Sequence, residues 1–140
     1  MPVAIDTNIL VYAEGMDGPL RQAAALDVLA VLPGDEVVIP VQVLGELYAV
    51  LTRKARWSPA MARAAIRRWS ARCVQVETTA DILEAAMELA AAHRLAFWDS
   101  VVFAAAAGAG CDWLLTEDLQ DGFAWRGVTA RNPFNASPPR

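Results

Sequence analysis

The sequence predicts an α/β fold, a three-layer α/β/α sandwich with a central, mainly parallel sheet. Short apolar runs alternate along the chain with longer segments of helical periodicity. This alternation is typical of a parallel sheet with helices on both faces. A length of 140 residues suits one core. We therefore predict a single domain over residues 1–135 and a frayed tail over 136–140.

Five apolar runs predict the strands. Each is rich in valine, isoleucine, leucine or tryptophan and is followed by a polar residue or a turn-forming residue. The first run stops at Asp6, and the fourth leads into Glu117 and Asp118. In chain order, the predicted strands are 3–5, 37–39, 74–76, 113–116 and 128–130.

Periodic apolar stripes and capping residues predict the helices. The third helix has a clear stripe, with Glu46 at its edge. Ser58, followed by proline, is typical of a helix N-terminus, and Thr79 is a second N-cap. Gly108 and Gly110 should end the last helix. In chain order, the predicted helices are 9–13, 20–32, 41–55, 59–69, 80–93 and 98–107.

Composition narrows the possible chemistry. The single histidine, His93, excludes catalysis that needs a histidine pair, so any reaction must depend mainly on carboxylates. Cys73 and Cys111 lie far apart without C-x-x-C spacing and should be free thiols in a reducing compartment. The N-terminus lacks a basic segment, and no apolar stretch approaches the roughly 18 residues of a membrane span. We predict a cytoplasmic protein without membrane association.

The net charge of −4 weighs against nucleic-acid binding, because sequence-independent affinity for phosphates comes from lysine and arginine. Basic residues are concentrated in one stretch, 53–72. Such a stretch is either a solvated surface or a contact for a nucleic-acid backbone. The tryptophans are expected mostly in the core or in an interface, with base stacking as the alternative.

Four acids should meet at one edge of the predicted sheet. Asp6 and Asp118 each follow a strand, so both lie at its carboxyl edge. Crossover helices run antiparallel to the strands, which brings Asp99, at a helix start, and Glu46, in early helical turns, to the same edge. Open α/β sheets bind ligands there. Clustered carboxylates repel one another, and hard divalent cations such as Mg²⁺ or Mn²⁺ relieve that repulsion.

Four segments in register resemble the motifs of the PIN-domain family, specifically VapC-type toxin ribonucleases. Asp6, followed by Thr7 and Asn8, resembles the first motif. Glu46, Asp99 and Asp118 occupy the second, third and fourth. The matching segments, together with a similar ending at 132–134, are 3–10, 40–47, 98–100 and 114–118.

The resemblance implies a Mg²⁺- or Mn²⁺-dependent endoribonuclease in which Asp6, Glu46, Asp99 and Asp118 are catalytic and bind the metal. It also implies an RNA substrate, a VapB-type antitoxin as partner and a homodimer. Glu117, Asp118 and Asp121 crowd the fourth motif, and Asp118 is favoured by its offset from Thr116.

Other functions remain open from the sequence. A PIN nuclease in RNA processing outside a toxin–antitoxin system would carry the same acids. A non-catalytic, acid-rich binding module agrees with the negative charge. A phosphatase with Asp6 as nucleophile is less consistent, because Asn8 stands where haloacid-dehalogenase-like enzymes have a second acid. His93 is expected to be a structural residue at a helix end.

Overall fold

The computed structural model describes residues 2–135, so the predicted tail at 136–140 lies outside the described residues. Six strands and six α-helices lie within this range, with two helices between each of the first four strands. In chain order they are β1 (Val3–Ile5), α1 (Thr7–Ala13), α2 (Pro19–Ala30), β2 (Val37–Pro40), α3 (Val41–Arg53), α4 (Pro59–Arg72), β3 (Val74–Val76), α5 (Ala80–His93), α6 (Phe97–Gly108), β4 (Trp113–Leu115), β5 (Ala124–Trp125) and β6 (Val128–Arg131).

The strands form one sheet in the order β3-β2-β1-β4-β6-β5, parallel except for the β5–β6 pair. The predicted α/β architecture with a mainly parallel sheet is therefore confirmed. The chain builds outward from β1 in one direction through β2 and β3, then returns to the other side of β1 with β4. This reversal leaves a topological switch point between the carboxyl ends of β1 and β4, where open sheets bind ligands.

The core explains why these apolar runs form strands. Every residue of β1 and β2 is buried, as expected for strands covered on both faces. Helix α6 is also almost enclosed, with seven consecutive buried residues from Ser100 to Ala106. Its alanines allow close approach of neighbouring elements, and Phe103 fills the space beside them.

Every predicted strand and helix is present within residues 2–135, with boundaries that agree or differ by one to three residues. Ser58 and Thr79 cap α4 and α5 by accepting bonds from Met61 N and Ile82 N, as predicted. Cys73 and Cys111 are free, as expected. Across residues 2–135, no helix combines the length and apolarity required to cross a membrane.

Strand β5 has no counterpart in the predictions. It is two residues long and pairs with β6 through a tight turn at Arg126 and Gly127, whose φ values are 48° and 84°. Positive φ at both central residues is typical of two-residue hairpin turns, which usually carry Asn-Gly or Asp-Gly. Here the arginine is held over the Trp125 ring, 4.3 Å from its centroid, and donates to Glu88 at 2.9 Å. These contacts are not visible in the local sequence.

Candidate metal centre

Asp6 lies at the switch point, directly after β1, and caps helix α1. Its Oδ1 accepts a 2.7 Å hydrogen bond from Thr7 N, and its Oδ2 accepts one of 2.7 Å from Thr116 Oγ1. Only 8 % of the residue is exposed. An aspartate suits this position because strand β1 ends at Ile5 and helix α1 needs an N-cap. The two hydrogen bonds hold the side chain in place.

Thr116 connects the ends of the two central strands. It follows β4, is buried, and besides donating to Asp6 it accepts a 3.1 Å bond from Asp118 N. One hydroxyl thus orients the first acid and the backbone that carries the fourth. Thr116 is thus bonded both to the Asp6 carboxylate and to the backbone of Asp118.

Glu46 is held beside the same edge by two donors from different elements. Its Oε1 accepts from Thr7 Oγ1 at 3.3 Å and from Gln42 Nε2 at 3.1 Å. Gln42 also donates to the carbonyl oxygen of Trp98 at 3.3 Å. Because Trp98 precedes Asp99 in the first turn of α6, Gln42 joins the helix start that carries Asp99 to the helix that carries Glu46.

Asp99 and Glu46 lie near enough to Asp6, and Asp118 near enough to Asp99, to affect the carboxyl pKa values. Burial raises the pKa of Asp6 most, and the charges of Asp99 and Glu46 raise it further, against the lowering effect of its two hydrogen bonds. Burial and then the charge of Asp118 raise the pKa of Asp99. Partial burial, followed by repulsion from Asp6 and Glu117, raises the pKa of Asp118. Asp6, Asp99 and Asp118 are therefore less easily ionised, first because of burial and then because of neighbouring negative charge.

The donor chemistry of this cluster fits a hard divalent cation. Carboxylate oxygens are the ligands that Mg²⁺ and Mn²⁺ prefer, and a cation would relieve the repulsion that raises these pKa values. Within residues 2–135, no three His, Cys, Asp or Glu side chains already have the spacing of a formed metal site. A cation at this position would therefore require the carboxylates to come closer together. We call these four acids the acidic cluster.

The acids of the crowded fourth motif have different partners. Asp121 accepts from Asn132 N at 2.9 Å and from the Asn135 side chain at 2.8 Å, so it stabilises the C-terminal turn. Asp118 is the one acid of this motif whose charge acts on Asp99. The geometry favours Asp118 over Asp121 as the fourth member of the cluster.

Glu117 is held by a separate set of groups. The Tyr12 hydroxyl donates to it, and Arg21 lies 3.8 Å from its other oxygen. Burial and the bond to Glu117 raise the pKa of Tyr12 to about 12. Asn8 lies between the two acids, 3.5 Å from Glu117 and 3.3 Å from Asp118. Asn8 therefore donates to Glu117 and Asp118, and no hydrogen bond joins it to Asp6 within residues 2–135.

Gln42, Tyr12 and Arg21 were not singled out from the sequence. Gln42 stands four residues before Glu46, a spacing that puts both on one helix face, and this signal was available. In the sequence, Tyr12 resembles the other apolar residues of α1, and Arg21 resembles an ordinary solvated residue of α2. Their contact with Glu117, about a hundred residues further along, depends on the tertiary fold alone.

The other residues singled out from the sequence lie elsewhere. His93 ends α5, and its ring packs edge-on against Phe123 at 5.1 Å, consistent with a structural role. The basic stretch is exposed at each of its arginines and at Lys54. Arg68 lies 4.0 Å from Glu14, so part of its charge is matched within the chain.

Replacing Thr116 by valine should lower the free energy of unfolding by about 1–3 kcal/mol, since the buried carboxyl group of Asp6 loses a hydrogen-bond donor. Thr129→Val on β6 is the matched control, because Thr129 is only half-buried. Urea denaturation of both variants measures the effect. Equal loss in the two variants would show that Thr116 does not hold Asp6.

The family model described as PIN domain matches residues 3–124. No curated protein sequence matches the chain. Among solved structures, a Mycobacterium tuberculosis VapC toxin that cleaves the sarcin–ricin loop is 27% identical, with a TM-score of 0.67 over 80% of this chain and 86% of that one.

Two more distant structures have the same fold. A toxin–antitoxin complex from Klebsiella pneumoniae is 20% identical, with a TM-score of 0.69 over 91% of this chain and 95% of that one. A VapBC complex from Rickettsia felis, bound to a DNA fragment from its promoter, is 17% identical, with a TM-score of 0.71 over 94% and 98%.

Proposed function

This chain belongs to the PIN domain family, and on that premise we propose that it is a Mg²⁺- or Mn²⁺-dependent endoribonuclease. The proposal depends on one observation above all. Asp6, Glu46, Asp99 and Asp118, far apart in sequence, lie at one sheet edge close enough for their charges to interact. Such a cluster opposes its own ionisation unless cations or protons neutralise it.

The chain's own residues orient the ligands of the proposed site. Thr7 and Thr116 fix both oxygens of Asp6, while Thr7 and Gln42 fix one oxygen of Glu46. Bound divalent cations would supply activation of water and neutralisation of the charge that develops on the phosphate. Hydrolysis of this kind leaves a 5′-phosphate and a 3′-hydroxyl and does not require the ribose 2′-hydroxyl.

We further propose that the enzyme is the toxin of a toxin–antitoxin pair. The support is its likeness to a solved VapC toxin over most of both chains at 27% identity. The natural partner is then a VapB-type antitoxin, and the natural substrate is RNA. A homodimer also stays a prediction, which sedimentation equilibrium of the purified protein can test.

Incubation of the purified protein with RNA, with Mg²⁺ or Mn²⁺ and then with chelator, tests the proposed activity. We expect cleavage with either cation, loss with chelator and recovery when excess cation returns. Cleavage that persists in chelator would contradict the metal requirement. Absence of both cleavage and divalent-cation binding would favour the non-catalytic binding module instead.

A further inference from the structure

Trp98 exposes a large apolar surface beside the acidic cluster. It is the residue before Asp99 in the first turn of α6, and 59 % of it is exposed. Its backbone is fixed, because its carbonyl oxygen accepts the Gln42 bond that also connects to Glu46. Val41, next to Gln42 at the start of α3, is 40 % exposed. The starts of the two helices that carry Asp99 and Glu46 thus each include an exposed apolar residue.

The Trp98 indole contributes little to the packing of the fold. The other tryptophans of the chain, at positions 57, 69, 113 and 125, are buried or half-buried. Arginines lie over the rings of three of them, at 5.2 Å for Trp69, 4.4 Å for Trp113 and 4.3 Å for Trp125. Within residues 2–135, Trp98 has no such cation and makes one ring contact, edge-on with Phe97 at 4.9 Å.

Affinity that does not depend on charge would add to whatever the exposed basic residues of 53–72 supply. The chain carries a net charge of −4, and the cluster itself repels a polyanion. Arg21, the cation that lies near Glu117, is already engaged with Tyr12 and Asp17. Stacking of a base on an aromatic ring supplies affinity that is independent of net charge and tolerant of sequence.

We infer that the Trp98 indole is a stacking platform for an unpaired base next to the scissile phosphate. The inference rests on the proposed function and adds to it the residue that positions the nucleotide. A base within a duplex is already stacked on both faces, so the substrate must offer an unpaired base at the cut. Trp98 is a binding and positioning residue, and the acidic cluster performs the chemistry.

Steady-state cleavage of a mixed-sequence, single-stranded RNA in saturating Mg²⁺ tests this role. We expect Trp98→Ala to raise KM by about 5- to 100-fold with little change in kcat, and Trp98→Phe to restore much of the affinity. The ratio of the two KM values should change little between low and high salt, since stacking does not involve counterion release. Met87→Ala, which removes another exposed apolar side chain at 50 % exposure, is the matched control.

Fluorescence supplies a readout that does not depend on turnover. With Ca²⁺ in place of Mg²⁺, the same RNA should quench tryptophan emission of the wild type and quench that of Trp98→Phe much less. Thermal melting should show that Trp98→Ala is folded, because the side chain is mostly exposed.

These experiments distinguish failure of the stacking role from failure of the nuclease proposal. If Trp98→Ala has the KM of the wild type while Asp99→Asn does not cut, the stacking role is wrong and the nuclease proposal stands. If the wild type cuts no RNA, the nuclease proposal fails, and the Ca²⁺ fluorescence titration still decides whether a base stacks on Trp98. A KM that rises equally in Met87→Ala would also overturn the inference.

Discussion

Replacing Asp99 by asparagine should reduce RNA cleavage by more than about 100-fold, because removal of even a group that supports a metal ligand costs about 10–100-fold in metal affinity or activity. The substitution removes a charge and keeps the shape. Within residues 2–135 the Asp99 carboxylate accepts no hydrogen bond, so the fold loses no contact there. Its pKa is raised by burial and by Asp118, which means that its charge is not needed to stabilise the folded chain.

The matched control for this prediction is Asp35→Asn. Asp35 is exposed and precedes β2, so the same change of charge occurs at the opposite edge of the sheet. We expect the control to cut RNA at the wild-type rate in gel-based time courses. Equal rates for wild type and Asp99→Asn would mean that the activity does not arise from the acidic cluster.

Mg²⁺ or Mn²⁺ should raise the melting temperature of the wild type by about 10 °C at a hundredfold excess over the dissociation constant. A ligand that binds only the folded state adds about 2.7 kcal/mol at that excess. For a domain of this size each kcal/mol corresponds to roughly 4 °C. Differential scanning calorimetry in buffers with and without the cation measures the shift.

The same shift should depend on pH in a defined direction. Burial and neighbouring carboxylates raise the pKa values of Asp6, Asp99 and Asp118 above the ordinary range of aspartate, so the folded chain holds their protons to higher pH than the unfolded chain does. Without metal, the free energy of unfolding therefore falls as the pH rises from the pKa values of these groups in the unfolded chain through their higher values in the folded chain. Cations compete with these protons, so the melting shift should be small near pH 4 and grow toward neutral pH.

Asp99→Asn again supplies the comparison for the melting shift. Loss of one ligand should leave only a small, weakly pH-dependent shift, whereas Asp35→Asn should show the full wild-type shift. A shift of equal size in Asp99→Asn, or one that grows as the pH falls, would be incompatible with binding at the acidic cluster.

The convergence of the acids could be predicted because it follows from the direction of the strands. Asp6 and Thr116 each come directly after an apolar run. Parallel strands bring such residues to one edge of the sheet, whatever the length of the loops that follow. Helix starts face the same edge, which places Asp99 from sequence alone. Thr79 and Ser58 are equally local signals, and both caps have the predicted contacts.

The parts that sequence did not predict depend on contacts between distant side chains. Gln42 joins Glu46 to the start of α6, and no local pattern specifies that its amide reaches Trp98. Likewise, Tyr12 and Arg21 contact Glu117, about a hundred residues further along the chain, and so distinguish it from the neighbouring Asp118. Strand β5 escapes prediction for a similar reason, since Arg126 adopts a positive φ while in contact with Trp125 and Glu88.

Anomalous diffraction from a crystal of the protein soaked in Mn²⁺ tests the proposed metal centre most directly. We expect a manganese peak between the carboxylates of Asp6, Glu46, Asp99 and Asp118, with Gln42 and Thr116 still bonded to their acids. The same soak of Asp99→Asn should give a weaker peak or none. A fully occupied manganese site elsewhere on the molecule, with the acidic cluster empty at saturating Mn²⁺, would contradict the account.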